Sequence, residues 1–487
     1  MITFFVCIVV LILGYFTYGK YVEKVFGHNE SRPTPAYVNG DGVDFVPMST
    51  PKNSLIQLLN IAGTGPIFGP IAGALFGPVA FVWIVVGCIF AGAVHDYLTG
   101  MISIRNKGAH LPALAAKYLG VAMKHVVNIF ALLLLILVGT VFVTSPAMLI
   151  SNLLDGKVAL SIIVAVIFGY YILATLLPID KIIGRLYPYF GALLIFSALG
   201  VGGYLVVTGA PIPELSFENM HPSALPVIPM IFFTITCGAL SGFHATQTPI
   251  ISRTTQNEKQ GRKIFYGMMI AEGIIAMIWA AAAMSLFQGP VSLGDLLAPG
   301  GPGPAGVVSE VSTIALGAVG GTLAVLGVVV LPITSGDTAF RAARMIIADF
   351  FKFSQAKFLS RLWIAIPLFV ISFALTKIDF NILWRYFSWA NGVTAVIALW
   401  VGAMYLYLKH SNHWIATIPA TFMTCMCIVY ILYEPNMGLG MSLNASYVGG
   451  VIATIVLVAL FFFTAMKKRG TTFQLDEDVS GFEMPKV

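Results

Sequence analysis

Charge is what this chain has least of. Only 10% of its 487 residues are Asp, Glu, Lys or Arg, whereas 58% are hydrophobic. A soluble domain cannot bury that much apolar surface, so the long apolar runs read as membrane helices. Membrane-barrel strands would be about 10 residues long and alternate in polarity, and no such pattern occurs. Cysteine is also sparse: Cys7, Cys88, Cys237, Cys425 and Cys427 all lie in apolar runs. Neither a disulfide framework nor a zinc spacing follows. No basic residue precedes the first apolar run and no convincing small-residue cleavage site follows it, which favours a retained helix over a signal peptide. There is no HExxH motif, and Ser335-Gly336-Asp337 lacks the partner aspartate of an intramembrane protease. Neither an enzyme nor a cofactor is expected.

What is present is a run of apolar segments near 2–19, 54–77, 79–104, 124–148, 158–178, 187–208, 224–251, 264–287, 307–333, 360–376, 391–408, 414–433 and 443–466. At roughly 20 residues per crossing they predict an all-α polytopic membrane protein with about thirteen spans. With the first helix starting outside, all of the 27 Lys and Arg except Lys157, Lys377 and Arg385 fall in inner loops or the tail. The positive-inside rule then puts the N-terminus outside and the C-terminus in the cytoplasm. The net charge of +6 is therefore topology facing a lipid bilayer, and nucleic acid is not an expected partner. The polar tail TTFQLDEDVSGFEMPKV is too short for a signalling domain and is expected to be disordered.

Two stretches interrupt the helical pattern in mid-membrane. In IAGTGPIFGPIAG, residues 61 to 73, Gly63, Thr64 and Gly65 break a helix, and Pro66 suits the first turn of a new one. In CGALSGFHATQTP, residues 237 to 249, two glycines, a histidine, a glutamine and a proline do the same. The breaks fall in the second and seventh spans, which the charges orient oppositely. Spans 2–6 and 7–11 then form two inverted five-helix repeats, each opening with a broken helix, the best sequence pointer to a transporter site. The expected organisation is an accessory helix and loop over 1–53, repeats over 54–222 and 223–412, two accessory helices over 413–466 and a tail over 467–487.

Polar groups in hydrocarbon are costly and usually functional. His95, His244, Glu272 and Gly63 each lie nine to eleven residues from the nearest inner basic residue. That is roughly 13 to 17 Å of helix, about mid-bilayer for all four. The broken helices offer positive N-terminal ends to a carboxylate and unwound carbonyls to a cation. Gly63, Thr64, Gly65, Gly242 and His244, with Gln247 nearby, are the expected substrate site. Glu272, a lone glutamate in an alanine- and methionine-rich helix, must be protonated or paired and is the expected proton carrier, with His95 and Asp96 assisting. Ile61, Thr334 and Ser335 form a candidate sodium site. Asp337 with Arg341 and Arg344 is expected in an inner-surface ion network. Glu310 is expected at the outer start of its helix, favoured by the dipole.

The same motifs carry a resemblance. GTGPIFGPIAG, FAGAVHDY, ITCGALSGFHATQTP, YGMMIAEG and DTAFRAARMIIADF, in that order over roughly residues 54 to 350, resemble the carbon starvation protein A (CstA) family of bacterial inner-membrane transporters. The chain is compact beside larger members of that family. The resemblance implies uptake of short peptides or pyruvate during nutrient limitation, with protons as the coupling ion. It also implies the five-plus-five fold of leucine-type transporters in the amino acid–polyamine–organocation superfamily. A passive channel using the same breaks as a filter is the alternative, as is a sodium-coupled symporter of that fold.

Overall fold

The computed structural model describes residues 1–479 except 43, 177–178, 288, 299 and 356–357. The last eight positions of the expected tail, and the end of the expected 158–178 span, lie outside the described residues. Among the described residues there is no strand, only an isolated bridge between Met48 and Thr255. Everything else that is regular is helical.

Ten helices are long and apolar enough to cross a membrane, and the pair Thr50–Ile61 and Gly65–Phe76, bent by 48°, makes an eleventh. The expectation of about thirteen also counts Leu160–Leu176 and the interrupted pair Val227–Thr234 and Gly242–Ser252, which fall short on length. The Gly303–Phe351 helix contains a true break at Gly317, whose φ of 67° only glycine adopts freely. That helix also begins earlier than the sequence implies. Glu310 therefore lies beyond the first turn and is exposed, so the dipole argument for it fails, because the effect fades within one turn.

The predicted inner loops gather at one face. Arg32 and Arg105 both approach Glu258, Arg253 donates to the Gly108 carbonyl at 2.9 Å, and Arg341 lies 4.0 Å from Asp44. At the other face the N-terminal ammonium meets Glu214 at 2.6 Å. Of the expected Asp337 network, Arg341 pairs with Asp337 at 3.8 Å, whereas Arg344 turns to the Gln355 side chain.

The tail corrects its expectation. Its described part is pinned across the loop-rich face: Tyr405 O–H donates to Asp476 at 3.0 Å, Tyr118 O–H donates to the Leu475 carbonyl at 2.6 Å, and Lys117 pairs with Glu477 at 3.0 Å. Composition alone suggested disorder, but a short acidic segment orders once basic and phenolic partners from several loops converge on it.

Candidate functional site

Both breaks exist, and they touch. After Ile61 the chain leaves helical geometry at Ala62, and Gly63 N–H turns back to the Ile61 carbonyl at 2.9 Å. The second half-helix starts at Gly65, with Thr64 accepting from Ile67 and Phe68 N–H. In the other span the helix stops at Thr234, Gly238 takes φ 89°, and a new helix starts at Gly242. A methyl on Gly65 would lie 2.4 Å from Cys237, and one on Gly69 would lie 2.8 Å from the Thr234 carbonyl. Gly65 and Gly69 thus let the half-helix after the first break lie tightly against the second break, at the Cys237 side chain and the Thr234 carbonyl. Gly63 faces the Phe142 ring and Gly242 the Asn391 carbonyl, each too closely for a β-carbon.

Four ionisable side chains from three spans form one buried line. Asp96 sits at its centre: His95 Nδ1 is 2.8 Å from Asp96 Oδ1, and His244 Nδ1 is 2.9 Å from Asp96 Oδ2. The other ring nitrogen of His244 faces Glu272 Oε2 at 3.3 Å. All four are 1% exposed or less. An ionised carboxylate only accepts, so with Asp96 charged both Nδ1 atoms carry their protons. Two helices carry a π-helical turn shortly before these residues, Cys88–Gly92 before His95 and Arg262–Tyr266 before Glu272. Such a bulge re-aims the following side chains and commonly marks functional positions. Among the described residues no group of three or more His, Cys, Asp or Glu is arranged to hold a metal ion.

Gln247, one turn beyond His244, donates to Thr246 Oγ1 at 3.0 Å, and its own amide oxygen has no partner. Thr64 Oγ1 lies 3.3 Å from Ser145 Oγ. The hydroxyls of Thr334 and Ser335 do reach the first break, donating to one carbonyl at 3.0 and 3.1 Å. That carbonyl belongs to Leu59. Ile61 is not their partner, because its carbonyl is taken by Gly63 N–H.

Several residues escaped the sequence reading. Asn391 Oδ1 accepts from Phe243 N–H at 2.7 Å and from Ser241 Oγ at 3.2 Å. It caps the second half-helix, so that helix end does not present all its N–H groups free. No local signal around Asn391 announces this. The stripe Asn53, Gln57 and Asn60 was legible, because its i, i+4, i+7 spacing puts three amides on one face. That helix packs on Gly242–Ser252, with Thr254 Oγ1 donating to Asn53 Oδ1 at 2.8 Å. Gln57 is fully buried with neither amide atom paired.

Comparison with known proteins places this arrangement. The family model for carbon starvation protein CstA matches residues 1–176, 157–293 and 302–430. A membrane protein of Haemophilus influenzae is 48% identical over 352 residues, covering 62% of this chain and 95% of its own. A Campylobacter jejuni protein named peptide transporter CstA is 29% identical, covering 58% of this chain and 50% of its own. The Escherichia coli pyruvate/proton symporter BtsT is 26% identical, covering 58% of this chain and 48% of its own. The chain thus aligns with about half the length of these last two. The crystal structure of MhsT in complex with L-phenylalanine superposes with a TM-score of 0.56 at 14% identity, covering 88% of this chain and all of that one. That likeness shows the fold, a leucine-transporter-like bundle with its five-plus-five inverted repeat.

Proposed function

The chain belongs to the CstA family of membrane transporters, and from that premise we propose that it imports a small carboxylate-bearing solute, a short peptide or pyruvate, together with a proton. It would work by alternating access across the bacterial inner membrane, with the loop-rich basic face in the cytoplasm as the positive-inside rule requires.

The observation that carries the reading is the buried line His95–Asp96–His244–Glu272. With both carboxylates ionised and His244 as imidazolium, the line holds one uncompensated negative charge. An unpaired buried charge costs several kcal/mol. One more proton, on Glu272, makes the closed site neutral, so closure and proton uptake occur together. His244 touches both carboxylates and sits at the start of the second half-helix, so it links the proton to the broken span that binds solute. In this closed arrangement Gly63, Thr64, His244, Gln247 and Glu272 are all shut off from both faces. Asn391 Oδ1 stands on the Phe243 N–H where a solute carboxylate oxygen docks on opening. The Asn53–Gln57–Asn60 face, on the helix packed against Gly242–Ser252, is the polar route proposed for the solute towards the cytoplasm. The names of the relatives support peptide or pyruvate as cargo.

A second reading, sodium coupling, has one observation in its favour: the Thr334–Ser335 hydroxyl pair converging on the Leu59 carbonyl. The test is purified protein in liposomes, offered labelled pyruvate or dialanine under an imposed proton gradient without sodium, then under a sodium gradient at equal pH. Accumulation that follows the proton gradient and collapses with a protonophore is expected. Accumulation driven by sodium alone transfers the coupling to the second reading. Flux indifferent to both gradients refutes symport.

A further inference from the structure

A pocket lies away from the central site, on the cytoplasmic side, between the loop before Leu111–Tyr118, the start of Val121–Leu153 and the end of Gly303–Phe351. Its volume is about 390 Å³. Two of its lining side chains are polar, more than nine-tenths buried and unsatisfied. His110 is 2% exposed with neither ring nitrogen paired, and Asn128 is 7% exposed with its amide nitrogen unpaired. Buried donors without partners are expensive, and here both point to a missing acceptor.

The rim supplies the charge. Lys124 and Lys352 line the opening, and among the described residues neither has a carboxylate within ion-pair distance. Asp349 shares the rim and lies in the field of Arg253 and Lys124, leaving two lysines against one aspartate. Burial, with Arg253 and Arg344 nearby, pushes His110 well below the usual histidine range. The ring is therefore neutral and offers one N–H. Phe350 and Phe353 line the same opening and are exposed.

We propose that this pocket holds the phosphate of an anionic phospholipid. His110 and Asn128 donate to its oxygens, the two lysines balance its charge, and the phenyl rings carry its chains. The shared chemistry is a phosphate, and basic pockets between helices on the cytoplasmic side suit such headgroups. The proposal does not depend on what the central site carries.

The experiment uses delipidated full-length protein in a neutral detergent, with its thermal midpoint read on adding dioctanoyl phosphatidylglycerol, dioctanoyl phosphatidylcholine or inorganic phosphate. Phosphatidylglycerol should raise the midpoint by several degrees, as a ligand of the folded state does, and phosphatidylcholine should raise it much less. The double variant Lys124→Ala/Lys352→Ala should keep the ligand-free midpoint and lose that response, and Lys124→Arg/Lys352→Arg should retain it. An equal response to the two lipids, or one undiminished in the alanine variant, overturns the site. A response to inorganic phosphate matching that to phosphatidylglycerol, and lost in the alanine variant, overturns the lipid as source in favour of a soluble phosphate.

Discussion

In the proposed mechanism, replacing Glu272 by glutamine removes the one group whose proton neutralises the buried line. Before that proton arrives, an ionised Glu272 and the imidazolium at their 3.3 Å separation would attract each other by about 5 kcal/mol at an effective dielectric constant near 20. Glutamine keeps the shape and abolishes that attraction. It also leaves Asp96 and His244 as a permanently neutral pair, so the site closes without taking up a proton. A proton gradient of about two pH units stores about 2.7 kcal/mol, enough to concentrate a solute about a hundredfold at one proton per turnover. We predict that Glu272→Gln loses this accumulation while retaining exchange of labelled for unlabelled solute across liposomes. Exchange needs only the loaded carrier to reorient. Gradient-driven accumulation at the wild-type level in the variant would refute the role of Glu272 and the charge argument with it.

Other expectations follow from single contacts. Gly242→Ala places a methyl 2.2 Å from the Asn391 carbonyl, a backbone clash worth about 1–3 kcal/mol, and the thermal midpoint in detergent should fall by several degrees; an unchanged midpoint means the two helices are not packed as described. Asn391→Ala removes the acceptor of Phe243 N–H and should cost about 1–2 kcal/mol, with faster hydrogen exchange over residues 241–246 as the readout. Deleting residues 471–487 frees Tyr118 and Lys117 from the tail, so exchange over 105–120 should rise, and equal protection with and without the tail would show that the strap adds nothing. The Met1 ammonium and Thr3 hold Glu214 down to about 2. A depressed carboxyl stabilises above its unfolded value and loses that contribution as pH falls through its folded value. Protection of the first helical turn should therefore decline on acidification only as pH drops below the ordinary glutamate range towards 2, and a loss already complete on acidification to about pH 5, above that range, would contradict the pairing.

Legibility differed sharply between features. The two breaks could be read because Gly63, Gly65 and Pro66 and the pair Gly238 and Gly242 supply the free backbone and helix-start chemistry a break needs, although Pro249 lies inside the second half-helix. The coincidence of His95, His244 and Glu272 at one depth could be read because helical rise is constant and basic residues mark the inner boundary. The tail could not, since its order comes from Arg105, Tyr118 and Tyr405, each remote in sequence. Nor could the cap by Asn391, which reaches across 148 positions to Phe243. The sodium candidate shows an intermediate case: Thr334 and Ser335 were placed beside the right helix, but the partner carbonyl is Leu59, because unwinding rotated the Ile61 carbonyl into its own turn.

By itself the sequence determined the solvent. A chain with so few charges, segregated to alternate loops, and with apolar runs of about 20 residues where a barrel would show short alternating strands, is a helical bundle in lipid, each helix satisfying its own backbone. The positions of the breaks followed too, as local consequences of glycine and proline. Tertiary structure alone decided which groups face one another. Whether His244 meets Asp96 on one side and Glu272 on the other depends on the rotation of three helices about their axes, and two π-turns set part of that rotation. Helical period places a residue at a depth; only packing chooses its direction.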